Sequence, residues 1–392
     1  MAEPRMLTAF NVSAFTWNFT LGMTYLLTPL YAHELGMPGI AIGGLMALPV
    51  LLQIWLNLIG GAYADRIGAK ITSVAACAFI IASAMVFASS ASFGGLLAGQ
   101  FLAILSRAAF WPSSWSLASQ LPGDRSRNMG RLNAITNAGQ IAGLACTGMV
   151  IAQWGFRTGY WMMAGTGTLA FAVASLIEHR RASPLARAAG LFDGYRALLG
   201  MRGIYLAMMC AYLSALPFSL SSSFYPILIV EQGYSSDATG WLLALRAAGS
   251  IAAGVFIARF VRQSRDPRAP LIAGVLSAAS VGLIAFHADI LWISLLLIGV
   301  GIGSGVMTVY FQILISNIST PEQRGSAMAL GGLGWGLSNI STPLIVGALT
   351  DDLGIHAAFY ILGAIALAWS LALLPMHRWT FARREHRGPD NG

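Results

Sequence analysis

Two arginines stand inside stretches that are otherwise apolar. Arg107 lies in the run Leu105-Ser106-Arg107-Ala108-Ala109-Phe110-Trp111, and Arg246 follows Trp241-Leu242-Leu243-Ala244-Leu245. A guanidinium in such a setting either meets a solute or a partner, or is held by backbone carbonyls. Amides and aromatic residues recur around them at helical spacing. Asn11, Asn18 and Tyr25 are seven apart, and Asn133, Asn137 and Gln140 follow at i, i+4 and i+7. Gln100, Arg107, Trp111 and Ser114 share a face, and Gln53 and Asn57 are four apart. The second half of the chain offers Arg246, Tyr225, Tyr310, Gln312, Trp335 and Asn339. Such sets hydrogen-bond a solute, or hold helices to one another.

Covalent chemistry has no matching constellation. The sequence contains no P-loop, no HExxH and no G-x-S-x-G. His33, His179, His287, His356, His377 and His386 fall in polar stretches or at their edges, at no ligand spacing. Cys77, Cys146 and Cys210 lie singly in apolar stretches, without a CxxC pair. No enzyme, metal site or cofactor is expected.

Composition shows what positions these residues. The chain has 392 residues, 56% hydrophobic and 10% charged, against roughly 25% charged in a soluble domain. Its apolar residues come in runs long enough to cross the ~30 Å hydrocarbon core of a bilayer. Twelve spans are read, at 7–33, 39–63, 70–90, 93–118, 129–153, 158–177, 203–230, 238–259, 270–287, 289–315, 326–350 and 356–376. In lipid each span must satisfy its own backbone, so all are helices. With the N-terminus in the cytoplasm, nearly all of the 23 Lys and Arg residues fall on that side; only Arg107, Arg157 and Arg246 do not. Acids mark the opposite side: Glu34, Glu231, Asp237, Asp289, Asp351 and Asp352. This positive-inside pattern predicts both termini in the cytoplasm. It accounts for the net charge of +8 without a nucleic-acid partner.

The longest polar stretch, 179–202, splits the chain into six spans and six. Pro122, Arg125 and Met129 recur at the same mutual spacing as Pro321, Arg324 and Met328. Continuing without a gap, Ile141 matches Ile340, Gly148 matches Gly347, Gly155 matches Gly354 and Tyr160 matches Phe359. The expected organisation is a bundle over 1–178, a cytoplasmic linker over 179–202, a second bundle over 203–376 and a tail over 377–392. Repeated six-helix halves place a solute site between them at mid-membrane.

The loop after the second span reads Gly61-Ala62-Tyr63-Ala64-Asp65-Arg66-Ile67-Gly68-Ala69-Lys70. It resembles the loop 2–3 signature of the major facilitator superfamily, G-x-L-A-D-R-x-G-[RK]-[RK]. Gly61, Ala64, Asp65, Arg66, Gly68 and Lys70 fit; Tyr63 replaces the Leu and Ala69 the first basic position. The second copy keeps Ala258-Arg259 where the first has Ala64-Asp65, so its acid is lost. The resemblance covers the whole chain and implies an all-α membrane protein. Its twelve transmembrane helices would form two pseudo-symmetric six-helix bundles. It implies a secondary transporter of a small organic solute, working by rocker-switch alternating access in a bilayer. Gly61, Asp65, Arg66, Gly68 and Lys70 would then form a conformational gate. The expected setting is the bacterial inner membrane, and the expected form a monomer.

The substrate and coupling set is Arg107, Trp111, Asn18, Tyr25, Gln53, Asn57, Asn137, Gln140, Arg246, Tyr310, Gln312, Trp335 and Asn339. Three readings of function stand. One is export of a drug or metabolite, with protons as the candidate coupling ion. The family's exporters often carry G-P-x-x-G-G in the fifth span, and here Gly139-Gln140-Ile141-Ala142-Gly143-Leu144 has no proline. No Asp or Glu lies near the middle of a span. Both departures weigh against proton antiport and leave open a second reading, a facilitator or exchanger of an anionic metabolite, which the two intramembrane arginines suggest; export remains the leading one. The third is a membrane receptor of transporter fold that moves nothing.

Overall fold

The structure is a computed structural model and describes residues 2–121, 124–177, 198–254, 266–320 and 324–382. The side chains of 2–5, 57–67, 120, 125–126 and 324–325 lie outside that description. All regular elements among the described residues are helices. The first set is α1 (Ala2–Glu34), α2 (Gly39–Ile67), α3 (Ala69–Ser89), α4 (Phe93–Gln120) and α5 (Arg125–Ser175). The second set begins with α6 (Arg202–Ser221), α7 (Phe224–Glu231), α8 (Ser236–Ala252) and α9 (Arg268–Leu283). It ends with α10 (Ile290–Ile318), α11 (Arg324–Gly331), α12 (Leu333–Leu353) and α13 (Ile355–Phe381).

These elements make twelve transmembrane helices. α5 is two spans in one continuous run, turned at Gly155. The seventh span is α6 and α7, interrupted after Pro217 in the serine run 221–223. Proline withholds a backbone donor, and serine competes for the backbone with its own hydroxyl. The eleventh span is α11 and α12, parted at the Gly331-Gly332 pair. Two helices start on side-chain caps that satisfy free backbone N–H groups. Ser92 accepts from Gly95 N at 3.2 Å, and Asp289 accepts from Leu291 N at 2.9 Å and Trp292 N at 3.0 Å.

The repeat read from sequence has a backbone counterpart. Gly155 turns the chain between the fifth and sixth spans at φ 76° and ψ 175°. Gly354 turns it between the eleventh and twelfth at φ 83° and ψ 157°. This region of backbone space is essentially closed to residues with a Cβ, so the matched glycines are required by matched turns. Tyr160 and Phe359, five residues on, are both buried. A second pair was not visible in the sequence. Gly36 N donates to His33 O and Met37 N to Ala32 O; Gly233 N donates to Val230 O and Tyr234 N to Ile229 O. The first helix of each half therefore ends in the same glycine-based cap.

The chain divides into two compact units, Met1–Ala186 with Ser221–Ala244, and Arg187–Leu220 with Leu245–Gly392. In the first unit α1 packs along α5, and α3 packs on α4 and α5. Close approach of α1 and α5 runs through glycines. A Cβ on Gly139 or Gly143 would collide with the carbonyl of Phe15 or Phe19, and one on Gly22 would stand 2.5 Å from Gln140 O. The Gly139-x-x-x-Gly143 spacing thus lays one backbone on another, where dispersion and tight packing hold helices in lipid. Segment 221–244 joins this unit through the ends of α7 and α8. In the second unit α9 packs on α10 and α13. Its core gathers Leu206, Cys210, Met307, Tyr310, Leu314 and Leu373.

Candidate functional site

α4 carries the charge that the sequence singles out. Arg107 stands near the middle of α4, half-buried, and its buried Nε has no hydrogen-bond partner among the described residues. Among the described residues it forms no ion pair. One turn on, the half-buried Trp111 ring lies edge-on to Phe110, 5.4 Å between centroids, and to Trp17, 6.4 Å. Trp17 comes from α1 and stacks on Phe110 at 3.7 Å and 3°. Its indole N–H donates to Ser106 Oγ at 3.0 Å, and Ser106 donates to Ala76 O at 2.6 Å. One hydrogen-bonded chain thus ties α1 and α3 to the turn of α4 that carries Arg107. The rings of Phe110 and Trp111, three and four residues on from Arg107, are thereby held against Trp17.

Trp17 and Ser106 were not legible as site residues. Polarity drew attention to Asn18, one position away. Asn18 is buried where α1 meets Gly139 of α5, and it donates to its own helix at Ala14 O, 2.9 Å. The chain Trp17–Ser106–Ala76 joins residues far apart in sequence. Only an amphipathic ring beside a small hydroxyl hinted at it.

The other expected residues of the first unit fall as follows. Gln53 lies mid-way along α2 with 8% of its surface exposed, and its Oε1 has no partner. Tyr25 is buried in α1. Asn137 is half-buried and donates back to Asn133 O at 2.7 Å. Gln140 is half-buried, with its carbonyl against Gly22. The side chains of Asn57, Gly61, Asp65 and Arg66 lie outside the described residues, so their contacts are not described. Gly68 follows α2 at φ 96°, a left-handed position that suits the glycine of the loop 2–3 pattern. Its carbonyl accepts from Thr72 N and Thr72 Oγ1, opening α3. Lys70 is half-buried in the first turn of α3.

In the second unit Arg246 is buried in α8, and its carbonyl lies where Gly301 of α10 leaves room for no Cβ. Tyr310 is fully buried in the apolar core with Cys210 and Met307, whereas Gln312 on the same helix is exposed. Trp335 is half-buried against Phe218, 5.2 Å between centroids. Its carbonyl accepts from Asn339 Nδ2 at 2.8 Å. Close by, Tyr212 and Ser341 hydroxyls bond at 2.8 Å. No three His, Cys, Asp or Glu side chains converge among the described residues.

Among the described residues the site offers a cation without an ion pair at mid-helix, aromatic rings one turn on and amides, all on membrane-spanning elements. The comparisons with known proteins agree. Quinolone resistance protein NorA of Staphylococcus aureus (strain COL) is 23% identical over 364 residues, covering 90% of this chain and 92% of that protein. Multidrug resistance protein 1 of Bacillus subtilis (strain 168) is 23% identical over 359 residues, covering 90% and 91%. Among solved structures, the nucleoside transporter NupG superposes with a TM-score of 0.80 at 14% identity, over 95% of this chain and 98% of that one. The family model described as Major Facilitator Superfamily matches residues 7–222 and 207–391. The chain is a multi-pass membrane transporter of a small-molecule substrate, not an enzyme, and it belongs to the major facilitator superfamily.

Proposed function

We propose that this chain exports a small organic solute across the bacterial inner membrane by alternating access. Both termini lie in the cytoplasm, 179–202 links the bundles 1–178 and 203–376, and 377–392 is a cytoplasmic tail. Protons supply the coupling, and the working form is a monomer. The observation that carries a solute site is Arg107, unpaired among the described residues and set beside Trp111 in the middle of α4. An intramembrane charge is costly, and it is kept where it meets a cavity or a ligand. Export is supported by the drug-resistance names of relatives 23% identical to it. Asp65, Arg66 and Lys70 at the α2–α3 junction form the gate. A surface pair there is weak enough to break and re-form as the bundles rock.

A second reading draws on a specific observation. The acids of the described helices stand near helix ends, as Glu34, Glu231, Asp237, Asp351 and Asp352 do. A proton antiporter normally titrates a carboxylate within the membrane, so exchange of an anionic metabolite competes with proton-driven export.

Everted membrane vesicles test both. With a pH gradient imposed, uptake of dyes and drugs into the vesicles that is lost in Arg107→Ala supports export. Uptake of an organic anion that depends on counter-anion and not on the gradient favours exchange. A protein that moves no solute under either condition is the non-transporting receptor.

A further inference from the structure

α2 and α4 point the same way, because each is joined to α3 by a short turn, at Gly68 and at 90–92. They pack on each other, and Gln100 Nε2 of α4 donates to Met46 Sδ of α2 at 3.4 Å. That contact fixes the register of the pair. Seven residues further is about two helical turns, or ~10.5 Å, and returns each helix to nearly the same face. The residues reached are Gln53 and Arg107. Each is near the middle of its helix. Gln53 is more than nine-tenths buried, and among the described residues its Oε1 and the buried Arg107 Nε are without partners.

A carbonyl oxygen lacking a donor and an N–H lacking an acceptor are complementary, yet they do not bond to each other. Buried polar groups are otherwise almost always satisfied. The geometry points to a solute that inserts between them. It presents an anionic oxygen to Arg107 and a hydrogen-bond donor to Gln53 Oε1. Its flat apolar body lies against Trp111, whose ring is braced by Phe110 and Trp17. The class is a planar aromatic acid carrying an N–H or O–H beside its carboxylate. This rests on the transporter reading and narrows it: Gln53 selects for the donor, and Arg107 for the charge.

Two isosteric probes separate these demands. Indole-2-carboxylate has an N–H next to the carboxylate; benzofuran-2-carboxylate has an oxygen there. Binding to the purified full chain is read by thermal shift, and flux by uptake into proteoliposomes, with tetraphenylphosphonium as a cationic control. The indole acid should bind about tenfold more tightly, the worth of one net hydrogen bond. Gln53→Leu should bring the two acids level by weakening only the indole. Gln53→Glu should place a carboxylate opposite Arg107 and weaken both acids. Arg107→Gln should lose both acids. Equal binding of the two acids by the wild type overturns the donor assignment. Flux of tetraphenylphosphonium in wild type and Arg107→Gln, with neither acid bound, overturns the acid class and leaves the transporter reading standing. No flux of any probe or drug overturns the transporter reading, and this inference with it.

Discussion

His33 Nε2 of α1 stands 3.9 Å from Glu231 Oε1 of α7, so the C-terminal ends of the first and seventh spans meet. Both side chains are more than a third exposed, and such a pair contributes about 0–1 kcal/mol. The tighter part of this seam is backbone. A Cβ on Gly240 of α8 would stand 2.6 Å from Leu144 O, and one on Gly148 of α5 would run into Ser236 O. Under the proposed orientation this end faces outward, and the seam must part each time the outer side opens.

The seam predicts an ordering of variants. Gly240→Val and Gly148→Val place branched carbons where backbone already lies, and no rotamer relieves that. Overpacking of this kind costs about 1–3 kcal/mol. His33→Ala should cost under about 1 kcal/mol. Thermal melts of the detergent-purified variants check the ranking; a His33 effect larger than the glycine effects would reverse the assignment of what holds the seam.

Gly155 and Gly354 give a test of the repeat. Their backbone conformations suit glycine alone, so Ala at either should destabilise by about 1–3 kcal/mol, and by similar amounts because the turns are equivalent. Gly165, within a helical part of α5 and with nothing near its Cβ position, serves as the control. Gly165→Ala should be neutral, or stabilising by up to ~1 kcal/mol from helix propensity alone. Unfolding midpoints in denaturant, measured on all three, decide it.

The turns also show what was readable beforehand. Twelve spans, all helices, and the Gly155–Gly354 match could be read because bilayer thickness and glycine chemistry act locally along the chain. The interruptions at 222–223 and Gly332 were less visible, since an apolar run reads alike whether its helix is continuous or broken. At the site, charge made Arg107 legible and burial cost made it meaningful. Trp17 was not legible, because an indole in an apolar span is ordinary until its partner is known. Ser106 supplies that partner from a different helix, 89 positions on. The proposed facing of Gln53 and Arg107 likewise depends on a register set by Met46 and Gln100, a contact that no periodicity within one helix can give.

The chain from Trp17 through Ser106 to Ala76 makes its own prediction. Ser106→Ala removes the acceptor of a fully buried indole N–H and leaves that donor unsatisfied, which costs about 1–3 kcal/mol. Adding Trp17→Phe to Ser106→Ala removes the orphaned donor and should recover part of that loss. A double-mutant cycle on melting midpoints measures the coupling. Strict additivity would mean that the 3.0 Å bond holds little of α1 to α4.

Alternating access is the central claim, and locking the seam addresses it most directly. In a chain with Cys77, Cys146 and Cys210 replaced by Ala, His33→Cys and Glu231→Cys can be joined by a short bis-methanethiosulfonate, which forms a disulfide with each thiol as methanesulfinate leaves and is cleaved by reductant. Solute flux into proteoliposomes is then followed before joining, after joining and after cleavage. The account predicts that joining α1 to α7 stops flux, that reduction restores it, and that each single variant treated alike keeps it. Undiminished flux through the joined double variant would contradict alternating access at this seam.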